Sequence, residues 1–269
     1  MTVYLLYLTG LNNAMLDVEL LSILLPALAA GLLVLSTHVL LGQQVLKRGI
    51  IFIDLAIAQV AALGAIVSHI DHDVEGLPFV HMWMPALFAL AGAGVIAWMA
   101  KRLTGELEAM IGCFYVLSAV AAMLLLANDP HGAELLKQLM SGQILWVSWS
   151  QLMIPAVVSV VILAFIALKP NILDGAGFYF LFALVITLSV ELVGVYLVFS
   201  TLILPALALN KYLGKYKLGW AYTVGIIGYV AGLLLSANYD LPSGAAIVAT
   251  LAISALVFRQ LLKLRPTTA

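Results

Sequence analysis

The stretch FYFLFALVITLSVELVGVYLVFSTLILPALAL, residues 178–209, contains one charged side chain, Glu191, in 32 residues. A helix needs about 20 predominantly apolar residues to cross a bilayer core. Comparable apolar runs lie outward of it at roughly 19–41, 50–70, 82–100, 110–127, 151–168, 218–236 and 244–262. The quoted stretch itself reads as a span over 178–199 and a shorter apolar segment, Thr201 to Leu209. That segment contains Pro205 and is too short to span as a regular helix. The expected fold class is an all-α polytopic membrane protein with about eight transmembrane helices plus one short broken segment.

Composition agrees. Of 269 residues, 64% are hydrophobic and 9% charged, against roughly 25% charged in a soluble domain. Mean hydropathy is +1.15. Too few charges are present to cover a soluble surface. A net charge of -1 leaves no basic footprint, which excludes nucleic acid as a partner. The single cysteine, Cys113, excludes a disulfide framework and, lying in an apolar run, reads as a small core hydrophobe. No Lys or Arg precedes Lys47, so the basic start of a secretory signal is missing. Residues 1–18 read as an external N-terminal segment and 19–265 as a single transmembrane permease domain.

Basic residues orient the spans, because cytoplasmic loops are enriched in Lys and Arg. Alternating from a cytoplasmic Lys47–Arg48 places Lys101, Arg102 and Lys169 inside. Eight full spans alone would put Lys211, Lys215 and Lys217 outside. If the stretch 201–213 brings the chain back, those three fall inside, and so do Arg259, Lys263 and Arg265. That arrangement puts 11 of 12 basic residues inside, with only Lys137 outside. It puts eight acids outside: Asp17, Glu19, Asp71, Asp73, Glu75, Asp129, Glu134 and Asp240. The N-terminus is expected outside and the C-terminus inside.

Three ionisable residues fall within expected spans: His38, Asp54 and Glu191. A charge at the bilayer centre costs roughly 2.5–3.5 kcal/mol on insertion scales, so each needs a reason. One reading is a path for an ion or polar substrate. The other is hydrogen bonding between helices. Gln59 lies one position past the i+4 neighbour of Asp54 and points away from it on a regular helix. The loop HIDHDVEGLPFVH, residues 69–81, gathers His69, Asp71, His72, Asp73, Glu75 and His81. Imidazole and carboxylate suit divalent transition metals, although the spacing matches no tight motif and a solvated loop would look the same. Gly92/Gly94 and Gly225, Gly228 and Gly232 read as close helix packing. Trp146, Trp149, Tyr212, Tyr216, Trp220 and Tyr222 read as interfacial anchors. No phosphate-binding GxxxxGK[ST] loop, HExxH or nucleophile–base spacing is present, so the chain does not hydrolyse ATP by itself.

Several fragments together resemble the permease subunits of zinc, manganese and iron ABC importers, the metal-ion ABC-3 family. KRGIIFID (Lys47 to Asp54) looks like the family's RRMxxxGD. GELEAMIG and LMSGQILWVSWSQL (Leu139 to Leu152) are similar to its EDxxIG and LFGDILxVsxxDL. KPNILDGAG (Lys169 to Gly177) resembles DPExAxxxG. VELVGVYLVFSTLILPALAL (Val190 to Leu209) resembles QxVGxLLVxALLIxPAAxA, and YDLPSG resembles YDxPxG. The matches run in family order across roughly residues 20–262.

The resemblance implies a type II ABC importer-like fold in the bacterial inner membrane. A second permease copy would complete a homodimer. Two cytoplasmic ATPase subunits would supply ATP hydrolysis, and a periplasmic or surface-tethered binding protein would deliver the metal. The chain would carry no cofactor of its own. Lys169, Pro170, Asn171, Asp174 and Gly177 would belong to the coupling helix that fits the ATPase, with Pro170 and Gly177 matching the family pattern. The family's Asp-x-x-x-His on the second helix is matched at Asp54 but not at Ala58. The family's Gln corresponds to Glu191. Glu191, with His38, is therefore expected to replace the missing ligand, while His69, Asp71, His72, Asp73 and His81 would receive metal from the binding protein. Zinc is the expected cargo, since it accepts both His and carboxylate. The competing reading is a proton-coupled secondary transporter with Asp54 and Glu191 as protonation sites. A membrane-embedded hydrolase is disfavoured for want of a catalytic constellation.

Overall fold

A computed structural model describes residues 2–70, 80–103, 105–127, 129–142 and 144–263. Its secondary structure there is helical throughout. The elements are α1 (Thr2–Arg48), α2 (Ile53–Ile70), α3 (Val80–Arg102), α4 (Leu107–Leu125), α5 (Gly132–Ser141), α6 (Trp149–Leu168), α7 (Gly177–Val193), α8 (Val195–Ala208), α9 (Lys217–Tyr239) and α10 (Ser243–Lys263). Short 3-10 turns at Ile144–Trp146 and Pro170–Leu173 flank α6.

Among the described residues, six helices are long and apolar enough to cross a membrane by length and composition: parts of α1, α3 and α10, and α4, α6 and α9. Three apolar helices, within α2, α7 and α8, are shorter. Together they make the nine apolar segments expected, but one boundary moves. The long apolar run does not break between 199 and 201. It breaks at Gly194, whose φ of 82° serves as the end of α7 and the start of α8. A non-glycine residue strongly disfavours that backbone region. Pro205 lies inside α8 rather than ending it.

The helix ends group the basic connections together. α1 stops at Gly49, with φ 68°, and the Ile50 N–H closes back onto Val45 O at 3.3 Å. The adjoining Arg48 bonds the 170–177 segment, and Phe52 N–H donates to Glu108 Oε1 at 3.2 Å. The α1–α2, α3–α4 and α6–α7 connections therefore share one end of the bundle. α8 comes back toward that end, because Gly42 of α1 lies against Leu202 O and Ala206.

Small residues let backbones approach, as membrane helix packing requires. Gly31 of α1 faces the Tyr229 ring and Gly225 of α9 faces Leu35. Gly228 and Gly232 face Leu251 and Ile247 of α10. The Thr250 hydroxyl donates to Gly228 O at 2.7 Å, and the Tyr222 hydroxyl to Ser36 O at 2.7 Å. Buried Tyr229 meets the Thr201 hydroxyl of α8 at 2.7 Å. Tyr229→Phe is expected to lower stability by about 0.6 kcal/mol, the average for an interhelical hydrogen bond in a membrane protein. Unfolding in detergent would check that value.

The outside of the bundle carries many exposed apolar side chains. Leu117 and Leu124 of α4 are 68% and 70% exposed, and Met153 of α6 is 67% exposed. Cys113 belongs to this surface. It is exposed on α4 and lines an apolar groove with Phe52 and Leu55, contrary to its reading as a core residue. Hydropathy alone does not separate a lipid-facing position from a buried one, since both are apolar.

Candidate functional site: polar residues at the two ends of the bundle

At the end marked by Lys47 and Arg48, Asp54 occupies the first turn of α2, where the helix dipole favours a negative charge. It is 1% exposed, and neither carboxylate oxygen has a hydrogen-bond partner among the described residues. A buried carboxyl group without partners is costly unless a proton or cation joins it. The residue one turn along the same face, Ala58, is buried and supplies no ligand. Gln59 turns to another neighbour, and its Nε2 contacts Met140 Sδ at 3.4 Å.

His38 is fully buried in α1. Its Nδ1 lies 2.9 Å from Val34 O and 3.2 Å from the Thr37 hydroxyl, both on its own helix. It does not line the cavity that contains Glu191.

Glu191 instead shares a cavity with His69. The space, about 270 Å³, opens between α2, α3, α5 and α7 and is lined by Ser68, His69, Pro85, Leu135, Thr187 and Glu191, among others. His69 closes α2 at the end away from Asp54 and is exposed, as is Glu191 near the end of α7. The neighbouring hydroxyls are held locally: Ser68 donates to Ala65 O at 2.7 Å and Thr187 to Ala183 O at 2.8 Å. The hydroxyl oxygens keep lone pairs as acceptors. Asp71, His72 and Asp73 lie outside the described residues, and so does the side chain of His81, which belongs to the first turn of α3. Among the described residues, no three His, Cys, Asp or Glu side chains are grouped to hold a metal ion. Among the described residues expected as ligands, Asp54 and His38 lie apart, and the cavity brings His69 and Glu191 together.

The surface at the Lys47–Arg48 end includes Pro170–Leu173, a 3-10 turn between α6 and α7. Lys169, Pro170, Asn171 and Asp174 face solvent, whereas Leu173 is buried. Arg48 seats the segment. Its guanidinium donates to Leu173 O at 2.6 Å, to Gly175 O at 3.4 Å and to the Tyr179 hydroxyl at 3.3 Å. It also lies over the Phe178 ring, 4.5 Å from the centroid. Lys47 adds an exposed ion pair with Asp174 at 3.9 Å, a contact worth little in water. The contacts of Arg48 with the 170–177 segment escape a sequence reading, where it counts as cytoplasmic charge and as part of the KRGIIFID stretch. The Leu135 and Thr187 contributions to the cavity give no sequence signal.

Helical spans with an apolar exterior, one basic end and a cavity holding His69 and Glu191 at the other end define a polytopic membrane protein. Its residues 166–261 match the model of the ABC 3 transport family. An uncharacterized membrane protein of Synechocystis is 24% identical over 253 residues, covering 86% of this chain and 88% of that protein. The high-affinity zinc uptake system membrane protein ZnuB of Haemophilus influenzae is 35% identical over 68 residues, which are 24% of this chain and 26% of ZnuB. A solved structure, PsaBC from Streptococcus pneumoniae in complex with Fab, matches with a TM-score of 0.71 at 22% identity. The match covers 91% of this chain and 95% of that one and shows the shared fold. The resemblance to metal-ion ABC permeases is borne out, and the chain is an integral membrane protein of the bacterial plasma membrane.

Proposed function

We propose that this chain is the membrane-spanning subunit of an ABC importer for a divalent transition metal, with zinc as its cargo. A second copy completes the translocation path, a separate cytoplasmic ATPase drives it, and a binding protein outside delivers the ion. The observation that carries this reading is the 170–177 segment. A short helix, solvent-facing on one side and clamped by Arg48 to the end of α1 on the other, suits the transmission of an ATPase movement into the bundle. The ZnuB similarity supports zinc.

In the cycle, docking of the binding protein opens the path on the outer side. ATP hydrolysis then moves the Pro170–Leu173 segment and closes it behind the ion. Bound states along the path must be weak enough to release, so few protein ligands suffice. Asp54, near the cytoplasmic end, is suited to meet the ion before release. A proton-coupled carrier is the second reading, because Asp54 is a buried carboxyl group without a partner among the described residues.

The two readings separate on purification. The chain, coexpressed with its partner ATPase, is expected to copurify with it as a complex whose ATP hydrolysis rises on adding the binding protein and zinc. Activity of the lone chain, with no ATPase bound, would favour the carrier.

A further inference from the structure

We propose that the cavity between α2, α3, α5 and α7 is an entry site for the divalent cation, with the His69 imidazole and the Glu191 carboxylate as its two protein ligands. The proposal rests on the metal-permease reading above and names where in this chain the ion is first held.

His69 and Glu191 belong to different helices, and the fold alone brings them to one cavity. Imidazole nitrogen and carboxylate oxygen are both ordinary ligands of zinc and similar ions. Ser68 and Thr187 beside them add hydroxyl oxygens that accept hydrogen bonds from coordinated water. A cavity of about 270 Å³ accommodates an ion that keeps part of its water shell, at about 30 Å³ per water. Both ligands are exposed, so the ion arrives without the bundle unpacking.

The remaining lining explains why the site would be weak. Pro85 and Leu135 supply no donor atoms, and three Ala side chains, at 61, 62 and 65, form much of the α2 wall. With two protein ligands the coordination is completed by water, which exchanges readily. Such a site captures an ion and lets it move on, as a conduction path requires. It also gives Glu191 a function that Ala58 leaves open. Where the i+4 neighbour of Asp54 is not a histidine, a histidine near the far end of the same helix is paired with a carboxylate from α7.

The test uses the full complex with its ATPase and binding protein, comparing wild type with His69→Asn, Glu191→Gln and the double variant. Retained copurification with the ATPase shows that each variant folds and assembles. Zinc uptake is measured across zinc concentrations. Each single variant is expected to raise the half-saturating zinc concentration at least the roughly tenfold that even an indirect ligand contact is worth. The double variant should be little worse than either single one, because both residues act on one ion. Cobalt(II) added to the purified complex should give a ligand-field absorption band that is lost in both single variants. Half-saturation within twofold of wild type in either single variant, or a cobalt band unchanged by both, would overturn the site. So would fully additive losses in the double variant. A wild-type chain that transports zinc without an ATPase would instead refute the importer reading, and the half-saturation comparison would still decide the site.

Discussion

Gly142→Ala is expected to lower the unfolding free energy by about 2–5 kcal/mol, the combined cost of a left-handed alanine and an overpacked contact. Gly142 follows α5 with φ 63°. A methyl group there would run into the Val193 carbonyl and the Gly194 nitrogen, at the break between α7 and α8. Neither neighbour is the end of a flexible side chain, so relief requires moving backbone. Gly49 provides the internal comparison. Its φ is 68°, yet a methyl group there would meet nothing within 4 Å. Gly49→Ala should therefore cost only the conformational part, about 1–2 kcal/mol. The two variants are compared by thermal unfolding in detergent. Equal destabilisation would mean that the end of α5 does not approach the Gly194 break as described.

Arg48→Ala is expected to reduce ATP-driven zinc uptake about 100-fold while the bundle still folds. The side chain makes a charged hydrogen bond to Leu173 O at 2.6 Å and stacks over Phe178. A hydrogen bond to a charged group contributes about 1.5–3 kcal/mol, and a cation–π contact about 0.5–2 kcal/mol depending on its burial. Losing about 3 kcal/mol would shift the seating of the 170–177 segment by roughly two orders of magnitude. Arg48→Lys should recover only part of the loss, because an ammonium lacks the planar fork that reaches several acceptors at once. Uptake by Arg48→Ala within twofold of wild type would show that the segment's seat does not limit coupling.

Which connections share an end of the bundle was legible because charge is dear in a bilayer and loops carry nearly all of it. Lys47, Arg48 and the 170–177 segment sit together as the count of basic residues required. The glycines at 225, 228 and 232 face Leu35, Leu251 and Ile247, as close packing demanded. The Gly194 break was misplaced because a 32-residue apolar run has no polar punctuation, and only a backbone angle reveals where the helix stops. α5 was missed for the opposite reason: Gly132–Ser141 mixes Glu134 and Lys137 with leucines and is too short to read as a span.

The candidate site divides along the same lines. Asp54 and Glu191 stood out as carboxyl groups in apolar surroundings, and that required no knowledge of the fold. Their partners did not stand out. His38 was expected beside Glu191, yet it bonds Val34 O and Thr37 on its own helix. His69 was read as part of the loop that follows it, yet it lines the same cavity as Glu191. Which residues meet across helices depends on the rotation and tilt of each helix, and neither is encoded in a local run of sequence.

The central claim is that this permease moves a metal ion at the expense of ATP hydrolysed by a partner. Radiolabelled zinc uptake into proteoliposomes containing the chain, its ATPase and the loaded binding protein tests it most directly. The account predicts accumulation that requires ATP, stops when the ATPase is inactivated and ignores an imposed proton gradient. Accumulation without ATP that follows the proton gradient would contradict it.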